Sequence, residues 1–97
     1  MKIAIASDGK DLNSNVSTQA GRSPYILVFE NKEILEVIKN PFAKGSGGAG
    51  FSVAYMLAEK NVDKFIAGKI GINMQSAFKE KGIKFEEENN KKINEII

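Results

Sequence analysis

Two glycine-rich stretches and one arginine have the residue types and spacing to do chemistry, and that chemistry is the holding of an anion. In FIAGKIGINM, residues 65–74, an apolar run stops at Ala67, Gly68 and Gly71 punctuate a turn around Lys69, and an amphipathic segment starts near Asn73. A helix beginning there leaves several backbone N–H groups without intrahelical partners, and such helix starts attract negative charge. Glycine allows close approach of a ligand to the backbone, and Lys69 adds a positive charge. The same glycines also suit a plain strand-to-helix connection, because the spacing is neither a Walker loop nor a full dinucleotide fingerprint. Both readings stay open.

The second stretch, KGSGGAGF at 44–51, has the glycine content of a phosphate loop without the G-x-x-x-x-G-K-[ST] spacing, and it follows Pro41 instead of a clean strand end. It reads better as a flap that orders when something binds. Arg22, between Gly21 and Ser23-Pro24, can fork onto a carboxylate or phosphate. It can equally anchor its own loop through Asp8, Asp11 or backbone carbonyls. Asp8 follows the first apolar run and is expected on the same sheet edge as Gly68, as a turn former.

What is missing narrows the chemistry further. The chain has no cysteine and no histidine. From its own residues it can build no disulfide, zinc site, thiolate-held cluster or Cys/His nucleophile, and it lacks the usual acid–base group for neutral pH. Carboxylates, hydroxyls, amides, backbone and Met1, Met56 and Met74 remain, a set that suits hard ions or none. A metal-dependent nuclease needs converging carboxylates. Asp8 is suitably placed, but Asp63 starts its strand and Glu59 ends its helix, so that cluster does not assemble. No catalytic constellation emerges, and a non-catalytic role is expected. The net charge of +2, from 14 basic against 12 acidic residues, is too balanced for a nucleic-acid binder. No run approaches the ~20 apolar residues of a membrane span. The apolar part of MKIAIASDGK is too short for a signal peptide, so a cytoplasmic protein is expected.

The elements that must position these residues follow from periodicity. Residues 2–7, KIAIAS, read as an interior strand with apolar groups on both faces, followed by a polar loop over 8–23. YILVFE (25–30) and EILEVIK (33–39) around Asn31-Lys32 read as a hairpin, stopped by Asn40-Pro41. Phe51, Ala54, Tyr55, Leu57 and Ala58 fall at helical spacing over 51–60, with Asn61 as the stop. A strand over 62–67 follows, then a helix with Asn73 as N-cap and Gly82 just past its end. A short strand at 83–85 comes next, with Glu86, Glu87 and Glu88 placed in solvent at the start of a tail helix, where negative charge is favourable. That helix docks Ile93, Ile96 and Ile97 on the sheet. The order β-β-β-α-β-α-β-α predicts one α/β domain over 1–97, a mixed five-stranded sheet with helices packed on it.

Taken together, MKIAIASDG, VSTQAGRSPYILVFE, NPFAKGSGGAG and NVDKFIAGKIGINMQSAFKEKGIKF resemble, in order and spacing, the dinitrogenase iron–molybdenum cofactor biosynthesis domain, the NifX and NifB C-terminal type. The resemblance covers residues 1 to about 86 and implies a ribonuclease H-like fold and the binding or carriage of an iron–sulfur or iron–molybdenum type cluster. Where the family reads His-Phe-Gly-Arg-x-Pro, this chain has Gln19, Ala20, Gly21, Arg22, Ser23 and Pro24. Gly21, Arg22 and Pro24 are kept, as are Gly68, Gly71 and Asn73, while the imidazole is replaced by Gln19. The cofactor-binding set expected on this basis is Gly21, Arg22, Gly68, Lys69, Gly71 and Asn73. They would hold a cluster loosely, through its peripheral sulfides or an organic acid, with no metal-ligating side chain. A small-anion or nucleotide-binding module, or a protein-interaction subunit without any cluster, are the alternatives.

Overall fold

The computed structural model describes residues 1–45 and 47–97, leaving Ser46 outside the described residues. The elements are β1 (Lys2–Ser7), β2 (Tyr25–Glu30), β3 (Glu33–Lys39), α1 (Ala49–Glu59), β4 (Lys64–Ala67), α2 (Ile72–Lys81), β5 (Lys84–Glu87) and α3 (Ile93–Ile96). The five strands form one sheet in the order β3-β2-β1-β4-β5. β1–β2 and β2–β3 are antiparallel, whereas β1–β4 and β4–β5 are parallel. The ribonuclease H-like mixed sheet expected from the sequence is therefore present.

Local chemistry fixes the turns. Asn31 and Lys32 take φ of 54° and 66°, the paired positive values that let a two-residue hairpin follow the strand twist. Asn61 stops α1 in the left-handed region at φ 60°. There the Val62 N–H donates to Leu57 O and the Asn61 N–H to Ala58 O, so two end carbonyls are satisfied. Gly82 does the same for α2 at φ 73°. One irregularity matters later: Val28 pairs with Glu36 but Phe29 pairs with Ile34, so Leu35 is an extra residue, a β-bulge in the edge strand.

Alternation along β1 covers both sheet faces. Ala4 and Ala6 join Ile26, Val28 and Phe65 beneath α1 and α2, packed against Val53, Leu57, Ala77 and Phe78. Ile5, Leu27, Phe29 and Ile66 face the other way, under Val16 and Ile93, with Ile96 and Ile97 at the margin.

Several boundaries differ from the sequence expectation. α1 starts at Ala49, inside the glycine stretch, because Gly48 at φ 72° supplies the turn into it. β4 starts at Lys64, because Val62 is tied into the end of α1. β5 extends to Glu87, so Glu86 and Glu87 lie in a strand instead of capping the tail helix. Glu95 takes that capping role, accepting from the Lys92 N–H at 2.9 Å.

The topology places both long helices alike. α1 runs into the start of β4, so α1 begins near the C-terminal edge of that strand. α2 begins at that edge directly. Two helix starts therefore meet where β1 and β4 end, the usual ligand-binding edge of an open α/β sheet.

Candidate functional site

At that edge lies a cleft of about 430 Å³ whose walls come from three segments: the 19–22 loop, the start of α1 at Gly48, Ala49 and Gly50, and the start of α2 at Gly71, Asn73 and Met74, with Lys69 beside it. Its charged lining residues are Arg22 and Lys69, and no carboxylate lines it. Neither helix start is closed by a side-chain cap. The first hydrogen bonds back to the caps are Ser52 N–H to Gly48 O and Gln75 N–H to Gly71 O, both 3.0 Å. The amides of Ala49, Gly50 and Phe51 and of Ile72, Asn73 and Met74 precede these bonds and are among the orphan donors of the first turns. Two positive helix ends and two cations thus border one concavity, where an anion is favoured electrostatically.

The loop carrying Arg22 is fixed by buried polar contacts. Asn40, almost fully buried, donates its side-chain amide to Gly21 O at 3.0 Å and to Ser23 O at 2.9 Å. Its side-chain oxygen accepts from the Phe42 N–H at 3.0 Å. The buried Ser23 hydroxyl donates to Tyr25 O at 2.9 Å. Arg22 itself joins none of the ion pairs among the described residues, which are Lys60–Glu36, Lys64–Glu86 and Lys91–Glu88. Neither Asp8 nor Asp11 neutralises it. Asp11 accepts from the Asn13 N–H at 3.0 Å within its own turn, and Asp8 borders a different cavity with Asn15, Thr18 and Lys91.

The turn between β4 and α2 is held from outside the cleft. The Ile70 N–H donates to the Glu87 carboxylate at 2.8 Å, and the Gln75 side-chain amide donates to Ile70 O at 2.8 Å. These two bonds fix the Lys69–Ile70 and Ile70–Gly71 peptides. In the neighbouring ladder position, Glu86 accepts from Lys64 at 2.9 Å, and that bond holds its carboxyl below the ordinary value.

Of the six residues singled out from the sequence, Gly21, Arg22, Lys69, Gly71 and Asn73 line the cleft, and Gly68 does not. Gly68 packs against backbone: a Cβ there would meet Thr18 Cα at 2.8 Å and Ser17 O at 3.0 Å. Asn73 is not the N-cap. Gly71 is, in extended conformation, and Asn73 sits in the first turn. The glycine stretch over 44–50, read as a flap, splits: Ala49 and Gly50 are helical, and Ser46 lies outside the described residues.

Sequence reading missed three contributors. Gly48 signalled the earlier start of α1, and Asn40 before Pro41 carried the mark of an anchored turn. Glu87 had no local signal, since its partner lies 17 positions away. Among the described residues no group of three or more His, Cys, Asp or Glu side chains could hold a metal ion. No helix among them is long and apolar enough to cross a membrane.

Comparison with known proteins agrees with this architecture. The family model described as Dinitrogenase iron-molybdenum cofactor matches residues 1–97. Protein MJ0580 of Methanocaldococcus jannaschii is 34% identical over 101 residues, spanning 100% of this chain and 82% of its own length. The NMR structure of a NifB-like protein from Thermotoga, TM1290, placed in the DUF35 family, superposes with a TM-score of 0.81 at 31% identity, over 97% of this chain and 81% of that one. The apo form of the orange protein from Desulfovibrio gigas superposes with a TM-score of 0.90 at 23% identity, over 98% and 82%, a likeness of fold.

Proposed function

The chain belongs to the dinitrogenase iron-molybdenum cofactor family, and from that premise we propose that it is a non-catalytic carrier of an anionic metal cluster. The carrying observation is the cleft that Arg22, Lys69 and two uncapped helix starts line together, with no carboxylate in its lining. The donor set decides how a cluster would be held. No thiolate or imidazole is present to bind iron directly, and Gln19, the residue that the sequence resemblance sets against a histidine, lines the cleft. The available groups are hydrogen-bond donors and cations, which suit the sulfides and anionic ligands on the outside of a preassembled cluster. Holding of this kind is electrostatic and reversible, as a carrier needs.

Exposed apolar residues beside the cleft favour hand-over to a protein partner. Ile72, the first residue of α2, is 79% exposed, and Phe51, in the first turn of α1, is 38% exposed. Both sit next to residues that line the cleft.

The test is anaerobic incubation with a cluster donor followed by desalting, visible absorbance and metal analysis. The wild type should retain colour and iron at low salt and release both as salt screens the charges. An Arg22→Ala, Lys69→Ala double variant should retain neither. Wild-type protein that stays colourless and iron-free at low salt would overturn the carrier reading.

A further inference from the structure

We propose that the cleft continues past Arg22 into a second cationic cavity, and that the two together bind one elongated oxyanion with negative groups along its length. The proposal rests on the reading of the cleft as an anion site and extends it to ligand shape. The second cavity, about 510 Å³, is lined by Arg22, Lys39, Lys44, Tyr25 and Asn40 together with Pro24, Pro41 and Ala43. Arg22 lines both cavities, and its guanidinium carries five N–H donors.

The carboxylates of the β2–β3 hairpin lie away from the cavity end. At the cavity end, Lys39 pairs across from Tyr25, and Lys10 stands 5.5 Å from the Tyr25 ring centroid. At the turn end, Glu30 pairs across from Glu33, while Glu36, between the two ends, is bound to Lys60. No carboxylate lines the second cavity, and Arg22, Lys39 and Lys44 join none of the ion pairs among the described residues. The loop shared by the two cavities is anchored, because the Asn40 side-chain amide donates to the Gly21 and Ser23 carbonyls on either side of Arg22. A compact anion fills one cavity, whereas a longer one reaches cations in both.

Isothermal titration at low salt with orthophosphate and with linear tripolyphosphate tests this. Wild-type protein should bind tripolyphosphate about tenfold or more tighter than orthophosphate, since several fixed charges act on one ligand. A Lys39→Gln, Lys44→Gln variant should lose most of that advantage. A Lys32→Gln, Lys84→Gln variant, which removes the same net charge away from both cavities, should behave as wild type. Equal tripolyphosphate affinity in the two double variants, or no preference for tripolyphosphate in the wild type, overturns the proposal. Cluster loading, measured separately, tells this failure from failure of the carrier reading.

Discussion

Gly21 and Gly50 meet backbone against backbone: a Cβ on Gly21 would lie 3.0 Å from the Gly50 nitrogen and 3.2 Å from its Cα. This contact seats the Arg22 loop on the first turn of α1 and gives the cleft one of its corners. Neither chain segment can yield cheaply, since one is helical and the other is anchored by Asn40. Gly21→Ala should therefore destabilise the protein by about 1–3 kcal/mol, the usual cost of overpacking. Thermal denaturation should show a melting point lower by roughly 4–8 °C per kcal/mol for a chain of this size.

Gly71→Ala should cost far less. Gly71 has φ −66°, which any residue adopts, and a Cβ there meets nothing within 4 Å. The gain of about 0.4–1 kcal/mol through the unfolded chain is offset by the preference for Gly over Ala at the N-cap that Gly71 occupies, so the melting point should move little. Because Gly71 borders the cleft, cluster retention should fall without a matching loss of stability, a divergence that a folding defect cannot produce.

Asn40 offers a sharper test of the Arg22 loop. Asn40→Ala leaves the Gly21 and Ser23 carbonyls without their donor, at a cost of about 1–3 kcal/mol for each that stays buried. Asn40→Asp should be worse at neutral pH, since a carboxylate would face two carbonyl oxygens. Its pKa would be raised in the folded state, so the variant should regain stability as pH falls and the carboxyl protonates into a donor. Urea denaturation at neutral and acid pH reads both effects.

Glu87 positions the Lys69 turn without touching the cleft. Glu87→Ala frees the Ile70 N–H and should weaken anion binding severalfold. Glu87→Gln keeps an acceptor oxygen and should restore most of it. Titration of both variants with orthophosphate separates positioning from a long-range charge effect, since the two remove the same charge.

The Glu86–Lys64 pair gives an acid-side signature. The Lys64 hydrogen bond holds the folded Glu86 carboxyl below its ordinary value of 4.5. The stabilisation is therefore present above that value and lost as pH falls through the lowered folded one. Both groups are partly exposed, so screening keeps the effect small. The melting-point gap between wild type and Glu86→Gln should be modest at pH 7 and close under acid conditions.

The sheet was legible because its signals are local. Asn31-Lys32 marked the hairpin turn, Asn61 and Gly82 marked two helix ends, and β1 alternated toward two covered faces. The helix starts were less legible for a physical reason. Asn73 carried the expected N-cap signature, yet Gly48 and Gly71 occupy the cap positions without offering any side chain. The contacts that shape the cleft were not legible at all. Asn40 reaches back 19 residues to Gly21 and Glu87 reaches 17 to Ile70, separations that periodicity does not encode. The triple glutamate resembled a solvated cap and proved to be three residues with separate partners.

The bulge at Leu35 bears on how copies of this molecule meet. Ile34, Leu35 and Val37 leave apolar surface on an unpaired edge, a template that would ordinarily invite another chain to add a strand. The extra residue throws side chains on its two sides out of phase, so a regular incoming strand matches one half of the edge and mismatches the other. Stacking into fibres is discouraged by a single inserted amino acid.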